Sequence, residues 1–127
     1  MALLNRREKH HAKCSAFIQD LDRPLVTCEP VITESCFLLK RLQGAVDAVM
    51  ANIEVGVFRI PFRLEESALA VRGLMQKYSD IPASLADGCL IQMAEELNTG
   101  DILTLDSDFR SYRWRRNRPF RFLLDVQ

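Results

Sequence analysis

Four carboxylates occupy the places from which an α/β chain does its chemistry. Glu34 falls one turn into a helical run that follows the β-leaning segment 25–28, and Asp87 falls one turn into a second run opened by Ser84. Asp106 and Asp108 come directly after the apolar segment 101–105. In an open parallel sheet, ligands bind beyond the carboxyl ends of the strands, where all four would sit. Acids gathered there with no lysine among them repel one another unless a cation lies between them. Carboxylate oxygens suit a hard divalent ion, Mg2+ or Mn2+, which keeps several waters for reaction. Taken singly, each acid also suits a helix N-terminus or a turn, so it is the joint placement that points to a metal.

Other chemistries find no support. The glycines are isolated, so no phosphate-cradling loop exists, and neither a GxSxG nor an HExxH pattern occurs. His10 and His11 lie on the charged side of a helical run with no acid placed to complete a triad, and Cys36 has no histidine nearby to serve as its base. Cys14, Cys28, Cys36 and Cys89 match neither a CxxC pair nor a zinc-ligand set. They read as reduced core thiols of a cytoplasmic protein, with a Cys28–Cys36 pairing left open.

The elements that must position these acids follow from periodicity. Helical spacing of apolar residues runs from Leu4 to Leu21, from Val31 to Leu42 behind Glu29-Pro30, from Ala45 to Glu54, from Leu64 to Tyr78, and from Ser84 through Leu97. Proline suits the opening turn of a helix because its missing N–H costs nothing there. Between them, 25–28, 57–60, 101–105 and 120–124 read as strands, and 106–114 as a short irregular or helical piece. Strands alternating with helices predict an α/β fold with a parallel sheet covered on both faces. The 127 residues, 48% hydrophobic, make one domain with a core large enough to need no disulfide or structural metal. No apolar run approaches the ~18–20 residues of a membrane helix.

Seventeen basic and seventeen acidic side chains cancel, but not locally. Residues 29–108 carry a net charge of −7 and residues 109–127 one of +5, from Arg110, Arg113, Arg115, Arg116, Arg118 and Arg121. An acidic middle and a basic tail suggest separate tasks, the tail attracting a polyanion or simply forming a solvated surface. Tyr112 and Trp114 among these arginines suit either base stacking or anchoring of the tail on the core.

Three stretches together carry a family resemblance: Leu25-Val26-Thr27-Cys28-Glu29-Pro30-Val31-Ile32-Thr33-Glu34, Tyr78-Ser79-Asp80-Ile81-Pro82-Ala83-Ser84-Leu85-Ala86-Asp87, and Ile102-Leu103-Thr104-Leu105-Asp106-Ser107-Asp108-Phe109. In order and spacing they resemble the PIN-domain nucleases, and in particular the VapC-type toxin ribonucleases. The resemblance implies a three-layer α/β/α sandwich and a metal-dependent endoribonuclease, usually a homodimer and often paired with an antitoxin protein. It also implies that Glu34, Asp87 and Asp106 hold Mg2+ or Mn2+, with Asp108 accompanying them and Asp80 in support.

One departure stands against these agreements. Family members open with a hydrophobic strand ending in an aspartate and only then reach a segment similar to Ala2-Leu3-Leu4-Asn5-Arg6-Arg7. The resemblance therefore implies that the first, central strand and the first metal-site aspartate are missing, that the domain is N-terminally incomplete, and that the natural protein starts upstream. The strands at 25–28 and 101–105 would then face an empty slot, to be closed by sliding together or by a strand from a partner. Weak metal binding and little cleavage follow. A non-catalytic PIN-like module that binds RNA or a protein partner through Arg113, Arg115, Arg116 and Arg118 is the alternative.

Overall fold

Seven short strands and four helices form among the residues that the computed structural model describes, 2–5, 25–81, 83–104 and 107–123. The strands are β1 (Ala2–Leu4), β2 (Leu25–Val26), β3 (Phe58–Arg59), β4 (Asp101–Leu103), β5 (Arg113–Trp114), β6 (Arg118–Pro119) and β7 (Arg121–Phe122). The helices are α1 (Glu29–Leu39), α2 (Ala45–Glu54), α3 (Leu64–Lys77) and α4 (Leu85–Leu97). Five strands make one parallel sheet in the order β3-β2-β1-β4-β7, and β5 pairs with β6 as a separate antiparallel hairpin. The α/β fold with a helix-flanked parallel sheet agrees with the sequence reading.

The empty central slot does not. Ala2–Leu4 lies between β2 and β4, with Leu3 in register with both Val26 and Ile102. The flanking ladders are only two or three residues long, so a three-residue strand meets their hydrogen-bonding demand. The Asn5 N–H continues the ladder to the Leu103 carbonyl at 3.0 Å, and the Thr27 hydroxyl donates to the Leu4 carbonyl at 2.9 Å. The helical reading of Leu4 to Leu21 fails at Leu4, which is in this strand. The rest of that run, with His10, His11 and Cys14, lies outside the described residues.

Alternation along the strands makes two cores. Leu3, Val26 and Ile102 face one way, into a cluster with Val71 of α3 and Cys89, Leu90 and Met93 of α4. Leu4, Leu25, Phe58 and Leu103 face the other way, with Ile53 of α2 packed on them. Successive side chains of a strand point to opposite faces, so runs as short as Leu3-Leu4 and Leu25-Val26 serve both layers. Helix α4 is the spine of the larger core, with Ala86, Gly88 to Ile91, Met93 and Ala94 all buried.

Two glycines let neighbours approach where a side chain would block them. A Cβ at position 88 would lie 3.1 Å from Met75 Cγ and 3.3 Å from Val71 Cγ1, so Gly88 sets how closely α3 and α4 pack beside Asp87. At Gly100 a Cβ would fall 2.0 Å from the indole nitrogen of Trp114, which is seated over the bare backbone. The hairpin that carries Trp114 is absent from the sequence reading, which has only an irregular or helical piece there; a 3₁₀ turn at Ser107–Arg110 accounts for part of it. At the tip Arg115 and Arg116 adopt φ of 42° and 72°. For a residue with a side chain, that region costs about 1 kcal/mol or more.

Candidate metal-dependent site at the carboxyl edge of the sheet

Asp87 is brought to the sheet edge by the capping chemistry of α4. The Ser84 hydroxyl accepts from the Asp87 N–H at 3.1 Å, and Asp87 Oδ2 accepts from the Ser84 N–H at 3.2 Å. Each partner satisfies an N–H that helix geometry leaves without an internal acceptor. The carboxylate also sits at the positive end of the helix dipole. The same Oδ2 takes a donor from a second part of the chain, the Tyr112 hydroxyl at 3.0 Å. Asp87 is 4% exposed and Tyr112 wholly buried, so the carboxylate is fixed in direction by two bonds, the one from Tyr112 shielded from water, and hydrogen bonds to a charged group are the strong ones.

Tyr112 is itself held rigidly. Its ring meets those of Tyr78 and Phe109 edge-on, each at 5.0 Å between centroids, and Phe109 meets Phe120 in the same way. Of the two readings of the tail aromatics, anchoring on the core is the one the structure bears out, since Trp114 is 8% exposed. Nothing local in the sequence marks Tyr112 as a partner of an acid. Its only signal was a tyrosine in an arginine-rich segment, and the link to Asp87 spans 25 residues.

The remaining predicted acids differ in setting. Glu34 lies in the second turn of α1, half-buried, on a helix that packs against α4. No side-chain cap opens α1; Pro30 does so, as the sequence indicates, and the Ile32 N–H reaches back to the Cys28 carbonyl. Asp108 is exposed on the 3₁₀ turn, and Asp80 is exposed in the turn after α3. Asp106 lies outside the described residues. Among the described residues no three His, Cys, Asp or Glu side chains form a group that could hold a metal ion.

A residue that sequence reading passed over lies at the centre of this edge. Asn5 directly follows β1, wholly buried, and its Nδ2 donates to the Thr104 hydroxyl at 3.1 Å just beyond β4. The chain runs from β1 outward to β2 on one side, while β4 and β7 lie on the other, so the β1/β4 boundary is the point where strand order reverses. That is where an open sheet parts to form a ligand crevice. Thr27, Asn5 and Thr104, all wholly buried, follow three neighbouring strands there. The donor chemistry of this edge, carboxylate, amide and hydroxyl oxygens, fits a hard cation rather than a soft one. At the end of the central strand, however, the donor is a neutral amide.

The thiols pair differently from the sequence alternative. None of Cys28, Cys36 and Cys89 is in a disulfide, and the Cys28 thiol is hydrogen-bonded to Cys89. That hydrogen bond draws the Cys89 thiol below its usual pKa, against the opposing effect of burial. Among the described residues no helix is long and apolar enough to cross a membrane.

Comparison with known proteins gives one result. Residues 1–115 match the family model of the PIN domain. No curated protein matches the chain.

Proposed function

Because the chain belongs to the PIN domain family, whose members are metal-dependent nucleases acting on RNA, we propose that it is a metal-dependent endoribonuclease whose working acid is Asp87. The observation that carries this reading is the buried Asp87 carboxylate, held on one oxygen by the Ser84 N–H and the Tyr112 hydroxyl. Such bracing is what a ligand needs if it is to hold a cation in one place. Glu34, Asp106 and Asp108 are the further acids of the proposed set, with Mg2+ or Mn2+ as the ion. When bound, the ion supplies charge stabilisation at the scissile phosphate and a more acidic water. The protein's part is positional. Ser84 and Tyr112 orient Asp87, the α1–α4 packing brings the Glu34 helix alongside, and the Asn5–Thr104 bond ties the end of β1 to the chain that leads into Asp106.

Asn5 supports a modest activity, because an amide contributes no charge where a carboxylate would attract the ion. It also favours a second reading, a PIN scaffold that binds RNA or a protein partner without cleaving. A VapC-type toxin partnered by an antitoxin, acting as a homodimer in the cytoplasm, is the biological setting that the quoted motifs suggest. The test is cleavage of a labelled structured RNA in Mn2+. Slow cleavage that stops with chelator and with Asp87→Ala is the expected result. RNA binding without cleavage, unchanged by chelator, selects the second reading, and cleavage that survives both treatments defeats the first.

A further inference from the structure

The six arginines of the C-terminal segment divide by what they touch. Arg121 is committed to Asp101 in a two-pronged ion pair, both contacts at 2.8 Å. Arg113 is turned inward, its Nη1 donating to the Arg110 and Tyr112 carbonyls at 2.8 and 2.9 Å, and Arg110 stacks on Phe122 at 4.8 Å. Arg115, Arg116 and Arg118 are exposed at the hairpin tip, and among the described residues no carboxylate forms an ion pair with them. Glu95 accepts from the backbone N–H of Arg115, not from its guanidinium.

Two of these three cations are seated on one aromatic ring. The Arg115 and Arg118 guanidinium groups lie 6.0 and 5.6 Å from the Trp114 ring centroid, within cation–π range. The indole is fixed beneath them by Gly100 and by its own N–H, which donates to the Pro119 carbonyl at 3.2 Å. Arg115 and Arg116 stand in consecutive left-handed backbone positions where glycine or asparagine would relieve strain. Strain retained at an exposed tip, in favour of two guanidinium groups, reads as function. At its root the hairpin is pinned by the Arg113 N–H, which donates to the Tyr78 hydroxyl at 3.0 Å, and by Tyr112, which bonds Asp87.

We propose that the β5–β6 hairpin is an RNA-docking element in which Arg115, Arg116 and Arg118 grip the phosphate backbone and, through Tyr78 and Tyr112, hold it at a fixed offset from Asp87. The inference rests on the reading of the Asp87 site as one that acts on RNA. Planar guanidinium forks match phosphate oxygens in pairs, which an ammonium does not. The Trp114 ring is covered, so it supports the guanidinium groups instead of stacking on a base, and the grip is on the backbone without sequence preference.

The test is fluorescence anisotropy of a labelled RNA hairpin with single-stranded flanks, in EDTA so that no cleavage intervenes, over a series of KCl concentrations. The variant Arg115→Asn with Arg116→Gly keeps the backbone conformation and removes two charges; Arg72→Asn, an exposed arginine on α3, is the control. The expected result is weaker binding by the double variant, with the slope of log K against log[KCl] reduced by about 1.4 for two lost phosphate contacts, a control that behaves as wild type, and undiminished thermal stability. An unchanged slope, an equal loss in the control, or no RNA binding by the wild type overturns the proposal. So does a variant that keeps RNA binding but loses binding to a polyglutamate peptide, which would assign the hairpin to a protein partner. Mn2+-dependent cleavage is scored separately, so absence of cleavage with the expected slope change removes the nuclease reading and leaves the docking element standing.

Discussion

The N-terminus of α4 and the tip of the β5–β6 hairpin are both polar, and one aromatic cluster supports both, yet they are built to opposite rules. At α4 the carboxylate is buried, its donors come from two parts of the chain, and the backbone is an ordinary capped helix start. At the tip the charges are exposed, no described carboxylate pairs with them, and the backbone is strained. An inward site gains from bonds that fix one geometry, whereas an outward surface gains from charge left available to a partner. Tyr112 joins the two, with its hydroxyl on Asp87 and its carbonyl on Arg113.

The comparison breaks most visibly at Asn5. Asn5→Asp adds a charge at the carboxyl end of the central strand, so Mn2+ affinity and cleavage are expected to rise by about 10–100-fold, the scale on which partners at a metal site act. Without metal the same variant should unfold more easily, because a buried carboxylate lacks compensation. Calorimetric titration with Mn2+ and thermal melts with and without the ion check both signs. Equal stability and affinity would separate Asn5 from the proposed metal site.

Next in size is Tyr112→Phe. It removes a buried hydrogen bond to a charged acceptor and should cost about 1.5–3 kcal/mol in urea unfolding, with cleavage reduced further than stability alone explains. Gly100→Ala tests the other end of the scaffold. The new Cβ collides with the Trp114 indole, and overpacking of this kind costs about 1–3 kcal/mol. The emission of the single tryptophan should shift to longer wavelength as the ring is displaced, and an unshifted spectrum with an unchanged melt would contradict the seating described. The smallest effect is a gain: Arg115→Asn with Arg116→Gly relieves left-handed strain and should stabilise the fold by about 1 kcal/mol, which sharpens the contrast if RNA binding falls in the same protein.

Much of this was legible from local pattern. The helix at Ala45–Glu54 has the limits its periodicity predicts, Leu64–Lys77 ends one residue short of the expected Tyr78, and Ser84 caps α4 with Asp87 three residues on. The strands at 25–28, 57–60, 101–105 and 120–124 are present in shortened form. Three features were not legible. Ala2-Leu3-Leu4 is too short to show a period, and its similarity to a later family segment pointed away from a strand. The hairpin carries neither Asn-Gly nor Asp-Gly at its turn, the usual signal for left-handed backbone. Asn5 bonds a residue 99 positions away.

The sequence by itself determined where the helices lie, the Pro30 and Ser84 openings of the helices that carry Glu34 and Asp87, and the concentration of arginine near the C-terminus, because periodicity, capping and charge are read within a few residues. Only the tertiary structure decided that Ala2–Leu4 fills the centre of the sheet, that Tyr112 braces Asp87, and which arginines are used up internally. Those outcomes depend on which distant groups meet once the chain has met the entropy cost of closure, and short polar or apolar stretches carry no local mark of the partner they will find.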